Sequence, residues 1–164
     1  IKIKELRKLI LFIYKNNKNK IMIKPSSINS SYSFRSGFLE QTLVMAQIAK
    51  KVAPYYKIDK DLAIGGILLI KIGVIKQIKS GYISENSKEG YLLGQTILGR
   101  DILNTAIKRL KHFPEDLKIK LEHIIISHEN NYQLNTSYRP SFPEALFVHS
   151  IYRNHSICLF GDFF

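Results

Sequence analysis

The sequence predicts an all-α fold of about six helices. Apolar residues recur at three-and-four spacing in one segment after another, prolines and capping residues punctuate those segments, and strand signals are too short and scattered to build a sheet. The first helix runs from Ile3 to Tyr14, with Leu6, Leu9, Ile10, Ile13 and Tyr14 on one side, and a basic, polar break follows it. Pro25 to Ser36, rich in Ser and Asn without helical period, reads as a loop.

The next helix spans about Gly37 to Ala53, with Leu39, Leu43, Ala46, Ile48 and Ala49 as its apolar face and Pro54 as its stop. Asp59 is placed to cap a helix from Lys60 to about Ile72, which is apolar nearly all round and is therefore expected at the centre of the core. Residues 73–86 read as a loop or short hairpin. A long helix from about Lys88 to Lys111 follows, with Leu92, Leu93, Thr96, Ile97 and Ile107 inward.

Pro114, with Glu115 and Asp116 behind it, starts a helix ending near Ser127, because proline suits a first turn and acids suit its positive dipole. After a polar stretch, Glu129 to Pro140, the spacing of Ser141 and Glu144 is that of a capping box, with Pro143 in the first turn. The last helix then runs to about His155.

At 164 residues, 45% of them hydrophobic and 11% aromatic, the chain has the size and composition of one globular domain. Residues 1–24 divide off as a basic N-terminal helix and arm, and 25–164 as the helical domain. Lys and Arg number 25 against 13 acids, for a net charge of +12, and the first 24 residues hold +7 of it, with Glu5 their one acid. A polyanion such as nucleic acid is the simplest physical use of that field. Lys, Ile and Asn are also the residues of AT-rich codons, so composition alone leaves a bland reading open.

The single Cys158 excludes an internal disulfide framework. The longest apolar run, Ile64 to Ile70, is far short of the roughly 20 residues a bilayer span needs. No signal-peptide cleavage pattern follows the first segment, so no membrane partner is expected and the location read is cytoplasmic. The chain opens on Ile1 rather than Met, as expected of a fragment or of a chain whose start lies outside it.

Two segments carry a family likeness. Arg35-Ser36-Gly37-Phe38-Leu39-Glu40-Gln41-Thr42-Leu43 resembles a Gly-Gly-Leu-Leu-Glu-His-Thr-Leu pattern, and Asp61 to Gly73 resembles an Asp-Leu…Gly…Leu-Leu-His-Asp-Ile-Gly pattern. Both belong to the HD superfamily of phosphohydrolases. Glu89-Gly90-Tyr91-Leu92-Leu93-Gly94-Gln95 is similar to the Glu-Gly-x-Leu-Leu-Gly-His of its YhaM-like 3′-to-5′ exoribonuclease branch. Glu122-His123-Ile124-Ile125-Ile126-Ser127-His128-Glu129 is similar to that branch's His-x-x-Leu-Ser-His-His, and Arg139-Pro140, Pro143-Glu144-Ala145-Leu146 and His149 to its closing stretch. The likeness covers about Pro25 to His155 and implies an HD-like helical bundle.

Carried over position by position, the same resemblance implies lost chemistry. HD enzymes bind divalent metals through a His, a His-Asp pair and a later Asp, because imidazole and carboxylate together suit ions that activate water. Gln41 stands at the first His, Ile70 and Lys71 at the pair, and Tyr152 at the closing Asp. An ammonium at Lys71 would also repel a divalent cation. His123 and His128 are five residues apart on one helix, about 140° apart in projection, and so cannot chelate one ion. They read, with His149, as residual packing or hydrogen-bonded histidines. No nucleophile triad, phosphate-cradling loop or dinucleotide fingerprint is present, and no cofactor or metal is implied.

What remains is a basic surface: Lys2, Lys4, Lys8, Lys15, Lys18, Lys20 and Lys24 at one end, and Lys108, Arg109, Lys111, Lys118 and Lys120 around Pro114. Such groups neutralise phosphates and bind RNA with strong salt dependence and little sequence preference. The expectation is a catalytically inactive HD-type protein that binds RNA, as a structural component of a ribonucleoprotein such as the ribosome. The alternatives are a protein-interaction module using the old active-site cleft and a residual metal-dependent phosphohydrolase or exoribonuclease.

Overall fold

A computed structural model describes residues 1–29, 31–79, 81, 84–129 and 139–160, the last two without their side chains. The protein is an all-α helical bundle. Its elements in chain order are α1 (Lys4–Asn16), α2 (Lys18–Ile21), α3 (Gly37–Val52), a 3-10 turn (Ala53–Tyr55), α4 (Lys60–Leu69), α5 (Val74–Gln77), β1 (Ile78–Lys79), β2 (Glu85–Asn86), α6 (Lys88–Ile107), α7 (Glu115–Ser127) and α8 (Pro143–Phe160). Among the described residues, six helices have ten residues or more, the number the periodicity predicts.

Helix α4 is central, as its all-round apolarity predicts. It packs on α1, α3, α7 and α8. Asp59 caps it, accepting from the backbone N–H groups of Asp61 (2.9 Å) and Leu62 (3.1 Å). Gly65 lets Leu6 of α1 approach, and Gly66 does the same for Ile124 and Val148; a Cβ at Gly65 would lie 2.8 Å from the Leu6 side chain.

Residues 1–24 are built into the same core. Leu6, Leu9 and Ile13 are buried in the main hydrophobic cluster, and three such side chains contribute on the order of 5–9 kcal/mol of transfer free energy. The Asp61 carboxylate accepts from the backbone N–H of Ile3 at 2.7 Å and from that of Lys2. The Tyr14 hydroxyl donates to the Leu68 carbonyl at 2.8 Å.

Several local expectations need correction. The polar break after α1 holds the short helix α2. Where a loop or short hairpin is expected at 73–86, α5 comes first and β1 then pairs antiparallel with β2, Ile78 opposite Asn86 and Lys79 opposite Glu85. On α3 the buried face is Phe38, Gln41, Thr42, Met45 and Ala49, whereas Leu43 and Ile48 are exposed. Helix α6 is kinked at Gly94 (φ 73°, ψ 168°). The kink turns Leu92, Leu93 and Ile97 outward and buries Gln95, Leu98, Ile102 and Leu103.

The capping box does not form either. The Ser141 hydroxyl bonds the Arg139 carbonyl, and the Glu144 carboxylate accepts from the Asp59 backbone N–H. Helix α8 continues beyond His155 to Phe160. Most of the polar stretch between Glu129 and Pro140 lies outside the described residues.

Candidate functional site

The turn leaving α4, the kink in α6, the end of α7 and the middle of α8 bring their side chains together. Ile70 and Lys71 follow α4 directly. Ile70 is fully buried and belongs to the apolar core. Lys71 is 7% exposed, and its ammonium lies 5.8 Å from the centroid of the Tyr152 ring. Burial pushes the Lys71 amine down to about 8 from its ordinary 10.5, against the opposing pull of the Glu129 carboxylate.

Glu129 is the hub. Its Oε1 accepts from Gln95 Nε2 at 3.0 Å and its Oε2 from the Thr96 hydroxyl at 3.1 Å, so two consecutive residues just past the Gly94 kink grip one carboxylate. The Tyr152 hydroxyl lies 3.5 Å from the same Oε1. Burial, then the charge of Glu129, raises the Tyr152 phenol above its usual range and keeps it protonated.

His128 is buried beside Glu129 with its ring edge against Tyr152, centroids 4.9 Å apart. Its Nδ1 sits 2.7 Å from the Ile125 carbonyl, which can only accept, so Nδ1 carries the proton. Nε2 is then the lone-pair nitrogen, facing Gln95 Nε2 at 3.4 Å. Burial holds the His128 imidazole below its ordinary range, which fits this neutral tautomer. His149 donates from Nδ1 to the His128 carbonyl at 2.9 Å, fastening α8 to the end of α7.

These groups border a cleft of about 430 Å³ between the end of α7 and α8, lined by His128, Glu129, His149, Tyr152, Arg153 and Ser156. Arg153 and Ser156 were not singled out from the sequence. The signal was present: residues 149, 152, 153 and 156 form one stripe of a helix.

The sequence-picked positions do not all share this setting. Gln41 is buried on α3 and accepts a hydrogen bond from the Ser26 hydroxyl. His123 is on α7 with His128, but its Nε2 accepts from the Ser141 backbone N–H at 3.0 Å and its ring tilts against Phe142. Lys71 and Tyr152 hold their protons, His128 offers Nε2 as its lone-pair nitrogen, and among the described residues no three His, Cys, Asp or Glu side chains are grouped to hold a metal.

The basic residues separate by environment. Lys2, Lys4, Lys8, Lys15, Lys18, Lys20, Lys108, Arg109 and Lys111 are exposed. Lys118 and Lys120 pair with Glu115 and Asp116, each at 2.8 Å. Lys24 departs from the surface expectation: it is 6% exposed and its ammonium donates to the Ile78 carbonyl, fixing the segment after α2 to β1. Burial, then the charge of Lys20, lowers its amine below the ordinary range. No helix among the described residues is long and apolar enough to cross a membrane.

Among curated proteins the chain is similar to the 3′-5′ exoribonuclease YhaM of Bacillus subtilis, Shouchella clausii and Bacillus velezensis, at 26% identity over 147 residues in each case. The match covers 89% of this chain and 46% of each relative. The chain therefore spans about half the length of the curated relatives it matches. No protein-family model matches it, and no solved structure does. The likeness is distant.

Proposed function

We propose that this domain is a catalytically silent, RNA-binding relative of the exoribonucleases it resembles. The observation that carries the reading is the Lys71 ammonium, buried against Tyr152 and attracted to Glu129, where the resemblance calls for the aspartate of a metal-binding pair. A fixed positive charge there fills the electrostatic role of an ion without an open coordination position or a polarised water. A divalent cation brought beside it would meet repulsion of several kcal/mol in a partly buried setting.

RNA as the partner is supported by the +12 charge, the exposed lysines of α1 and α2, and the likeness to exoribonucleases. With no chemistry to perform, the domain serves as a stable component of a ribonucleoprotein, the ribosome included. The test combines two measurements on the purified protein. Elemental analysis with nuclease assays in Mn²⁺ is expected to give neither stoichiometric metal nor chelator-sensitive turnover, and filter retention is expected to give salt-dependent RNA binding in the micromolar range. Bound metal with turnover would overturn the silent assignment, and absence of salt-dependent binding would overturn the RNA assignment.

A second reading has its own observation. Tyr91, Leu92, Leu93 and Ile97 are exposed around the Gly94 kink, a concentration of apolar surface that suits a protein partner. An association that survives nuclease treatment favours this reading, and one that vanishes favours RNA.

A further inference from the structure

A groove beside α1, the helix that carries Lys4, Lys8 and Lys15, is lined by Lys76 and by Arg109 of the second basic cluster. A recess of about 270 Å³ runs between α1 and the second half of α6, and Phe12, Asn16, Lys76, Ile102, Thr105 and Arg109 are among its lining. On α1, Lys8, Phe12 and Lys15 fall at i, i+4 and i+7, so two lysines flank the aromatic ring along one helical stripe. Thr105 and Arg109 continue the same kind of stripe on α6 and the turn after it. Lys76 enters from α5, which packs on α6.

Lys8, Lys15, Lys18, Lys76 and Arg109 are all exposed, and none takes part in an ion pair among the described residues. This distinguishes them from Lys118 and Lys120, whose charges are matched on their own helix. The acid closest along α6 is Asp101, one turn before Thr105.

We infer that this groove between α1 and α6 binds single-stranded RNA, with Lys15, Lys76 and Arg109 tracking the phosphates and Phe12 with Asn16 receiving a base. The inference rests on the RNA-binding reading above and locates it. A cationic groove that follows a backbone, interrupted by an aromatic side chain, is the arrangement that holds unpaired strands without sequence preference. The recess accepts one base or one sugar-phosphate unit at a time. A rigid duplex, read across its wide minor groove, cannot enter such a slot.

The experiment is a fluorescence-anisotropy titration of the full chain with a labelled oligouridine at several salt concentrations. Lys76→Glu combined with Arg109→Glu alters the groove. Lys50→Glu combined with Lys51→Glu, two exposed lysines ending α3, changes net charge equally elsewhere. The groove pair is expected to weaken binding about tenfold and to reduce the salt slope by about 1.4, at about 0.7 per lost contact on a single strand. The control pair is expected to cost much less. Lys76→Gln with Arg109→Gln, checked by circular dichroism, gives the same reading should the reversed charges disturb folding.

Equal losses from the groove and control pairs would overturn the groove while leaving RNA binding in place. A duplex bound as tightly as the single strand would overturn the strand preference, and an unmodified protein that binds neither would remove the underlying reading as well.

Discussion

The ammonium of Lys71 lies 5.8 Å from the ring centroid of Tyr152, and the lysine is buried in the bundle. Its amine is pushed down to about 8 by burial, so folding disfavours its charged form. The unfolded chain holds this proton up to about 10.5, and between those two values it binds more protons than the folded chain. Stability therefore rises with pH across that window. Below about 8 both states are charged and the burial cost is fully present. Lys71→Met, which keeps much of the stem's packing, is expected to stabilise the domain at pH 7 by on the order of 1–3 kcal/mol and to flatten the rise between pH 8 and 10. Urea denaturation at three pH values checks this; a variant less stable than the parent at pH 7 would mean that Glu129 and Tyr152 more than repay the lysine's desolvation.

Glu129 joins two helices through Gln95 and Thr96 and also faces Lys71. Glu129→Gln is expected to cost about 1–2 kcal/mol, since charge-assisted hydrogen bonds become neutral ones. The cost should be larger at pH 6, where Lys71 is charged, than at pH 9.5, where it is largely neutral. In a double-mutant cycle with Lys71→Met, a coupling of about 0.5 kcal/mol or more is expected, because the two side chains share one network. Strict additivity would show that the lysine and the carboxylate do not sense one another.

How much of this was readable beforehand varies with position. The helix count, the Asp59 cap and the centrality of α4 were legible because they rest on local chemistry and on apolar runs with no polar competitor. The inward face of α3 was misjudged, since periodicity scores Leu43 and Ile48 as core and gives no credit to Gln41 and Thr42, which are the buried ones. Gln41 stays inside because Ser26, a partner on a loop that no helical pattern reveals, satisfies its side-chain oxygen. Family likeness picked out Lys71, Gln95, Glu129 and Tyr152. Only the fold shows that Glu129 gathers the other three.

Gly94 explains the second misjudged face. Its φ of 73° with ψ of 168° belongs to a region open essentially to glycine, and a Cβ placed there meets no neighbour within 4 Å. The penalty for Gly94→Ala is thus backbone strain alone, about 1–3 kcal/mol. Because Gln95 and Thr96 follow directly, relief of that strain by straightening α6 would swing both away from Glu129. Reduced stability by chemical denaturation, with loss of amide-exchange protection at 95–98, is the expected result. An unchanged stability would show that the kink is not imposed by this residue.

Lys24 separates charge that faces solvent from charge that holds the fold. It is counted among the basic residues of the first 24, yet its ammonium is buried on the Ile78 carbonyl and cannot reach a phosphate without breaking that bond. Lys24→Met should therefore leave RNA affinity and its salt slope within about twofold of the parent, while lowering stability by about 1–3 kcal/mol through the orphaned carbonyl. Lys15→Gln should do the opposite, because Lys15 is exposed and no ion pair among the described residues engages it. Its expected signature is unchanged stability within about 0.5 kcal/mol and a salt slope smaller by about 0.7. The two measurements cross, so a general loss of folding cannot imitate the pattern. If Lys24→Met weakens RNA binding as much as Lys15→Gln does, then the segment after α2 opens to place its lysine on the ligand, and the charge of the whole N-terminal end acts as one surface.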